Sequence, residues 1–232
     1  MHPHIFFDLL AWGLAFGAGF LALRMAGGPR DKSLYGPAYY GALAGGAIAG
    51  AFGFGSLNLM LGGHEVAIGR SVVGALAGAI IAIEIYKKLK GVRGSTGVTF
   101  VAAFAVGIAI GRIGCFLSGL EDYTYGVETA LSWGVDFGDG ISRHPVQLYE
   151  ALSMGGFAVL YFISLRLKKN WATCNAFYIM VLVYAGQRFV WEFLKPYTGI
   201  IGPFNIFHLV TAGLIGYAVY MLAKPVAENK GL

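Results

Sequence analysis

Seven long apolar stretches, separated by short polar breaks, dominate the pattern of residues along the chain. They cover residues 5–27, 35–62, 66–88, 97–118, 148–167, 172–194 and 202–224. Each is long enough for an α-helix that crosses the hydrocarbon core of a bilayer, which takes about 20 residues. The pattern therefore predicts an all-α membrane protein with seven transmembrane helices, folded as a single polytopic domain over residues 1–232.

The composition favours the same class of protein. Apolar residues make up 57% of the 232 positions and charged residues 12%, and an ordinary soluble domain carries about twice that charged fraction. This argues against a soluble enzyme, a disordered chain and a nucleic-acid binder. Glycine occupies 36 positions, and small residues allow membrane helices to approach one another closely.

The 17 Lys and Arg residues divide unevenly between the two sides of the predicted bundle. Most lie in the short breaks on one side, and the other side holds Arg70, Arg112, Arg143, Arg188 and Lys195. Basic residues concentrate in cytoplasmic loops. The distribution therefore predicts an extracytoplasmic N-terminus and a cytoplasmic C-terminus.

One connection, residues 119–147, is much longer than the others and falls on the predicted extracytoplasmic side. Trp133, Val135 and Phe137 alternate with polar or small residues, and the run Gly138–Gly140 follows them. This pattern predicts a short strand and a turn. A long loop in a compact protein is often functional.

Ionisable residues inside the predicted spans are the main functional signal. Each costs roughly 2.5–3.5 kcal/mol at the centre of a membrane helix. Arg112 lies near the outer end of the fourth span, and Arg188 and Glu192 are spaced i,i+4 in the sixth. The fifth span opens with Gln147, Tyr149 and Glu150, behind His144 and Pro145. Guanidinium groups bind phosphate bidentately, so these positions indicate a phospholipid site open to the outer leaflet.

Structural roles are the alternative for several of these residues. Arg188 and Glu192 could pair only with each other, and Arg112 could extend to the membrane surface. His144 could cap the fifth helix. We expect His208 to be a packing residue and Glu84 to form a surface pair with Lys87 or Lys88.

The sequence implies neither a metal nor a redox cofactor, since no His/Cys group has the spacing of metal ligands. The two cysteines, Cys115 and Cys174, fall at opposite ends of the predicted spans. We therefore expect them to be too far apart for a disulfide bond.

Several motifs together resemble the prolipoprotein diacylglyceryl transferase family of bacterial membrane enzymes. These enzymes move a diacylglyceryl group from phosphatidylglycerol to the cysteine thiol of a lipoprotein precursor. The motifs are Trp12–Gly13, Gly69–Gly78, Gly111–Phe116, Trp133–Phe137, Arg143–Glu150 and Arg188–Phe193. Seven helices with an outer N-terminus are also the topology of that family.

The resemblance implies a set of functional residues. Catalytic roles fall on Arg112, His144, Arg188 and Glu192. Substrate-binding roles fall on Arg70, Ser71, Cys115, Glu121, Arg143, Gln147, Tyr149 and Glu150. The implied partners are phosphatidylglycerol and a precursor with a lipobox cysteine, with no nucleic acid and no cofactor. The implied location is the bacterial plasma (inner) membrane, as a multi-pass protein.

A mechanism follows from the resemblance as a hypothesis. Phosphatidylglycerol enters from the outer leaflet, with its acyl chains in a glycine-rich groove between helices. Arg112 and Arg188 hold its phosphate, and Glu192 orients Arg188. The outer loop, with Trp133 and Phe137, docks the precursor peptide.

The chain departs from the family at four signature positions. Its histidine in the third helix, a proposed general base, is Val73 here, and its asparagine is Cys115. Its glutamate falls near Leu120 or Glu121, and its tyrosine in the first helix is Trp12.

The departures leave two interpretations open. Either another residue serves as the base, with His64, Glu121 and His144 as candidates, or the chain is a non-catalytic or altered-activity phospholipid-binding paralogue. His144 is the best of these candidates by residue type.

Overall fold

The computed structural model describes residues 3–28, 34–62 and 68–224, and side chains from residue 5 onwards. The described residues form eight α-helices and one pair of short strands. The helices are α1 Pro3–Ala26, α2 Pro37–Leu61, α3 Val72–Lys90, α4 Val101–Leu117, α5 Val146–Arg166, α6 Asn170–Cys174, α7 Ala176–Glu192 and α8 Ile206–Ala223. Two 3₁₀ turns, Gly97–Phe100 and Gly119–Asp122, flank α4.

The helices broadly follow the predicted apolar stretches, and the protein is mostly helical, as predicted, with one small two-stranded sheet. Five helical segments are long and apolar enough to cross a membrane: Ile5–Ala26, Pro37–Leu61, Gly97–Leu117, Val146–Arg166 and Ile206–Ala223. Of the other two long helices, α3 ends in charged residues and α7 has 17 residues. The chain is therefore a helical membrane protein, and the count of seven spans and their orientation stay predictions.

Three predicted stretches begin or divide differently in the structure. The third, predicted from residue 66, forms its helix only from Val72. The sixth stretch forms two helices, α6 and α7, and the non-helical residue Asn175 separates them. The seventh starts at Ile206 rather than 202, since Gly202 adopts a left-handed conformation (φ 58°) and Pro203 follows it. Asn205 then caps α8 by accepting hydrogen bonds from the backbone N–H groups of Phe207 and His208.

Glycines bring α2 and α3 into direct backbone contact. A Cβ atom at Gly50, Gly74 or Gly78 would collide with the backbone of the facing helix. The same holds where Gly55 meets Gly69, just before α3 begins. Part of the high glycine content therefore closes this helix pair tightly, as small residues do between membrane helices.

The core lies among α3, α4, α5 and α7, with α1 packed on α4 and α8 on α7. Val101, Ala105, Met154 and Val181 are fully buried there. This central position of α4, α5 and α7 matters for the site, because each of the three contributes a charged side chain to it.

The segment 119–147 contains the predicted strand and turn, now as a hairpin. Strands β1 Val135–Asp136 and β2 Ser142–Arg143 pair antiparallel. In the turn, the Asp136 carboxylate accepts hydrogen bonds from the N–H groups of Gly138, Asp139 and Gly140 at 2.8, 3.1 and 3.0 Å. Phe137 anchors the hairpin on α4 by packing against Phe116, with 5.6 Å between ring centroids.

Candidate active site

Glu150, in the second turn of α5, is the centre of a buried charged cluster. Its carboxylate lies 2.7 Å from Nε of Arg112 on α4 and forms a second ion pair with Nη1 of Arg188 on α7. The ammonium of Lys195, in the turn after α7, lies 3.0 Å from Glu150 Oε1. One carboxylate thus joins three cations from three parts of the chain.

Glu192 extends this group towards α8. Its Oε2 lies 2.8 Å from Nη2 of Arg188, and its Oε1 accepts a hydrogen bond of 3.0 Å from Nδ2 of Asn205. Asn205 is the residue that caps α8. The start of α8 and the end of α7 are therefore fixed to the same ion-pair network.

We name Arg112, Glu150, Arg188, Glu192 and Lys195 the Glu150 cluster. All five are buried, and Glu150 has no exposed surface. With every member ionised, three positive and two negative charges leave a net charge of +1. A buried positive excess favours a bound anion, because charges in an apolar interior need a partner.

Unused hydrogen-bonding groups lie at the cluster. The Nε–H of Arg188 and both polar atoms of the Gln147 amide are buried and have no hydrogen-bond partner. Gln147 sits one turn before Glu150 on the same face of α5. Buried polar groups are normally satisfied, so these donors are available to a polar ligand.

Cys115 lies at the edge of the cluster. Its Sγ is 3.9 Å from Nη1 of Arg112 and interacts with the Asp122 carboxylate. The neighbouring Glu121 is exposed, in the 3₁₀ turn that follows α4. Cys115 and Cys174 are both free thiols, as expected.

His144 belongs to a separate aromatic group. Its Nδ1 lies 3.3 Å from the hydroxyl of Tyr149, which also accepts a hydrogen bond of 2.9 Å from the indole N–H of Trp133. The Tyr149 ring packs on Trp191 of α7, at 5.1 Å between centroids. Tyr149 therefore links the hairpin to the helix that carries Arg188 and Glu192.

The remaining predicted site residues lie elsewhere. Arg143 forms two hydrogen bonds of 2.7 Å with the Asp139 carboxylate in the hairpin. This pairing lowers the pKa of Asp139 and raises that of Arg143. Arg70 is exposed, and Ser71 caps α3 by accepting a hydrogen bond of 3.2 Å from the N–H of Gly74.

The structure decides between the alternative structural roles that the sequence left open for Arg188, Arg112 and His144. Arg188 and Glu192 do pair, but Arg188 also pairs with Glu150, and Arg112 is 9% exposed rather than extended to the surface. The side chain of His144 contacts Tyr149, and no side chain caps α5.

The structure also tests the structural roles expected for His208 and Glu84. His208 is a packing residue as expected, with its ring 4.2 Å from that of Phe193. Glu84 does pair with Lys87, at 2.7 Å, but Lys87 is 4% exposed, so the pair is not a simple surface pair. His64 lies outside the described residues.

Sequence reasoning missed two members of this network, Lys195 and Asn205. Lys195 follows the apolar stretch by one residue and carries no motif of its own. Asn205 immediately precedes an apolar helix, which is the usual position of a capping residue. That signal locates Asn205 but does not show that it reaches Glu192.

Fold and site together define a class: a helical membrane protein that buries a net positive charge among its central helices, suited to an anionic group. In the described part of the chain, no group of three or more His, Cys, Asp or Glu side chains is placed to hold a metal ion. A model of the prolipoprotein diacylglyceryl transferase family matches residues 57–224, well over half of the chain. The chain belongs to this family.

Individual relatives carry the name phosphatidylglycerol–prolipoprotein diacylglyceryl transferase. The chain is 36% identical to that of Teredinibacter turnerae, over 62% of this chain and 50% of the relative. It is 33% identical to that of Bordetella parapertussis, over 63% and 53%, and 31% identical to that of Nitratidesulfovibrio vulgaris, over 70% and 63%. The chain spans about half the length of the curated relatives it matches first. No solved structure matches it.

Proposed function

We propose that the chain transfers a diacylglyceryl group from phosphatidylglycerol to the lipobox cysteine of a lipoprotein precursor, at the outer leaflet of the bacterial plasma (inner) membrane. The activity named for its relatives supports this. In the proposed arrangement seven helices span the membrane, with the N-terminus outside and the C-terminus in the cytoplasm. The uneven distribution of Lys and Arg supports that orientation.

The observation that carries the proposal is the positive excess of the Glu150 cluster. Arg112 and Arg188 approach one buried point from α4 and α7. Arg188 keeps a free Nε–H, and Gln147 keeps a free amide. A phosphodiester with one negative charge balances the net +1 and accepts hydrogen bonds from these groups. Glu192 orients Arg188 through its Nη2.

The reaction is a substitution at carbon. The sulfur of the acceptor cysteine attacks the glyceryl carbon that carries the phosphate ester, a C–S bond forms and the C–O bond to phosphate breaks. Glycerol phosphate leaves with the electron pair of that bond, and its added negative charge develops beside the two guanidinium groups. Electrostatic stabilisation of this kind is often the largest catalytic contribution.

The thiol proton needs an acceptor, because a free cysteine has a pKa near 8.5. Val73, at the position of the family histidine, is 1% exposed in an apolar core and has no titratable group. In the proposal His144 takes the proton, and its contact with Tyr149 holds the ring beside α7.

The other proposed substrate contacts involve the outer surface. Trp133 is 57% exposed on the hairpin and suits docking of the precursor peptide. Phe137 packs on Phe116, so its proposed role there is to hold the hairpin in place. Peptide and headgroup contacts are assigned in the proposal to Arg70, Ser71, Cys115, Glu121, Arg143, Tyr149 and Glu150.

The test incubates the purified chain with phosphatidylglycerol and a peptide that contains a lipobox cysteine. Wild type should give a thioether product and glycerol phosphate, Arg112→Ala should give neither, and Arg166→Ala, at the exposed end of α5, should match wild type. Binding of phosphatidylglycerol without any product would favour the non-catalytic paralogue. Unchanged turnover in Arg112→Ala would show that this arginine only anchors α4.

A further inference from the structure

Asn205, which precedes α8, connects the cap of that helix to the Glu150 cluster. Its side-chain oxygen accepts hydrogen bonds of 2.9 and 3.2 Å from the backbone N–H groups of Phe207 and His208. Its side-chain nitrogen donates a hydrogen bond of 3.0 Å to Oε1 of Glu192. Asn205 is 2% exposed, so both ends of the amide are bonded inside the protein.

The two ends of this amide cannot exchange places. Backbone N–H groups only donate, so they must face the oxygen, and an ionised carboxylate only accepts, so it must face the nitrogen. The backbone of Asn205 is held as well, because its N–H donates to Nδ1 of His208 at 3.2 Å and completes a capping box. The start of α8 therefore determines where the amide nitrogen of Asn205 lies.

The orientation of Glu192 depends on this contact. Its Oε1 accepts the hydrogen bond from Asn205, and its Oε2 lies 2.8 Å from Nη2 of Arg188. The ion pair with Arg188 lies within α7, at i,i+4 spacing, so by itself it leaves the carboxylate free to turn about the side-chain bonds of Glu192. Asn205 holds the same carboxylate from the start of a different helix.

Asparagine is well suited to this task. Ser, Thr, Asp and Asn are all common capping residues, but a hydroxyl is a single polar atom, and an aspartate would place a second carboxylate against Glu192. The asparagine amide carries its acceptor and its donor on separate atoms. It is also neutral, so the contact orients Glu192 and leaves the net charge of the Glu150 cluster unchanged.

We propose that Asn205 is a positioning residue for the transfer reaction, and this inference rests on the proposed function. Through Glu192 it holds the Arg188 guanidinium in the orientation that receives the phosphate, without touching the substrate itself. The ionised members of the Glu150 cluster lie on or next to α4, α5 and α7. The inference therefore gives α8 a part in the reaction as well.

The test is a double-mutant cycle on the rate of transfer. Asn205→Ser keeps a good capping residue but is too short to reach Glu192. It should lower kcat about tenfold, as expected for a lost hydrogen bond to a charged group, with a smaller change in KM. In the Glu192→Gln background, Asn205→Ser should have no further effect. A glutamine whose oxygen accepts from Asn205 turns its NH₂ group, which cannot accept, towards Arg188, so the link is already broken. Losses that multiply would mean that Asn205 acts independently of Glu192, and would overturn the proposal.

Asn205→Asp is the second variant, because it keeps the cap and repels Glu192. It should slow transfer at least as much as Asn205→Ser, and a wild-type rate in both variants would overturn the proposal. Thr211→Val is the matched control. The buried Thr211 hydroxyl bonds to the carbonyl groups of Phe207 and His208 within α8, and valine removes these bonds at nearly constant volume. This control should transfer at the wild-type rate. A tenfold loss here too would place the effect of Asn205 in the stability of α8 and overturn its positioning role.

Failure of the proposed function gives a different result. A wild-type chain that binds phosphatidylglycerol without transfer would contradict the reaction, and the same cycle would then be measured on the dissociation constant for phosphatidylglycerol. Coupling between Asn205 and Glu192 in that constant would support the positioning of Arg188, and independent changes would overturn it. A wild-type chain that neither transfers nor binds would overturn both proposals.

Discussion

Two polar groups lie in one apolar bundle and differ in how they are stabilised. One is the Glu150 cluster, and the other, here named the Glu84 cluster, comprises Glu84, Lys87 and Tyr217. In the Glu150 cluster five charged side chains are buried and each has an opposite charge as a partner. In the Glu84 cluster one ion pair, part-exposed at its carboxylate, accepts a hydrogen bond from the Tyr217 hydroxyl. A net positive charge in the first suits an anion, whereas the charges of the Glu84–Lys87 pair in the second sum to zero.

The largest expected difference between the clusters is in stability. Glu150→Gln removes the carboxylate that joins Arg112, Arg188 and Lys195, and breaking a buried ion pair from one side costs about 3–5 kcal/mol. Glu84→Gln is the matched control and should cost less, because the Glu84 carboxylate is 37% exposed and water already competes for the pair there. Denaturant or thermal unfolding in detergent measures both. Equal losses would mean that burial does not distinguish the two clusters.

The second prediction concerns the shape of the cation rather than its charge. Arg188 uses two different nitrogens for Glu150 and Glu192, and a lysine ammonium cannot reproduce this fork. If the cluster holds the phosphate, Arg188→Lys should lower kcat/KM for transfer about 10²- to 10³-fold. Arg166→Lys is the control. A normal rate from folded Arg188→Lys protein would limit this arginine to a structural role.

Most members of the Glu150 cluster could be predicted from the sequence. The cost of charge in a bilayer singled out Arg112, Arg188 and Glu192, and the opening of the fifth span added Glu150. The sequence also predicted a short strand and a turn, from the alternation around Val135 and the glycines after it, but not the second strand that completes the hairpin. These features are local, since periodicity and turn chemistry act over a few residues.

What could not be predicted depends on contacts between distant parts of the chain. Nothing in the sequence marks Glu150 as the centre of the cluster or brings Lys195 to it, because that follows from how α4, α5 and α7 pack. The Glu84–Lys87 spacing predicted a pair, but a surface one. Its burial beside Tyr217 of α8 follows from helix packing alone.

The third prediction tests His144 as the acceptor of the thiol proton, a role distinct from that of the Glu150 cluster. If His144 accepts the thiol proton, His144→Gln should slow transfer about 100-fold, the lower end of general base effects, with little change in stability. Tyr149→Phe removes only the hydroxyl that contacts the ring and should have a smaller effect. A normal rate for His144→Gln would return this residue to a structural role in the hairpin contact.

The smallest expected effect lies in the hairpin, at the exposed Asp139–Arg143 pair. Arg143 lowers the pKa of Asp139 by hydrogen bonding, so the pair stabilises the turn at pH values above the ordinary aspartate pKa of about 3.9. That stabilisation is lost as the pH falls through the lowered pKa of the folded state. Asp139→Asn should therefore speed proteolytic cleavage of the hairpin slightly at neutral pH, and the difference from wild type should vanish only in strong acid. A difference that persists unchanged in strong acid would show that the charge of Asp139 does not stabilise the turn, since asparagine keeps an oxygen that can accept the N–H of Ile141, and the contrast with the buried Glu150 pairs would then be one of geometry alone.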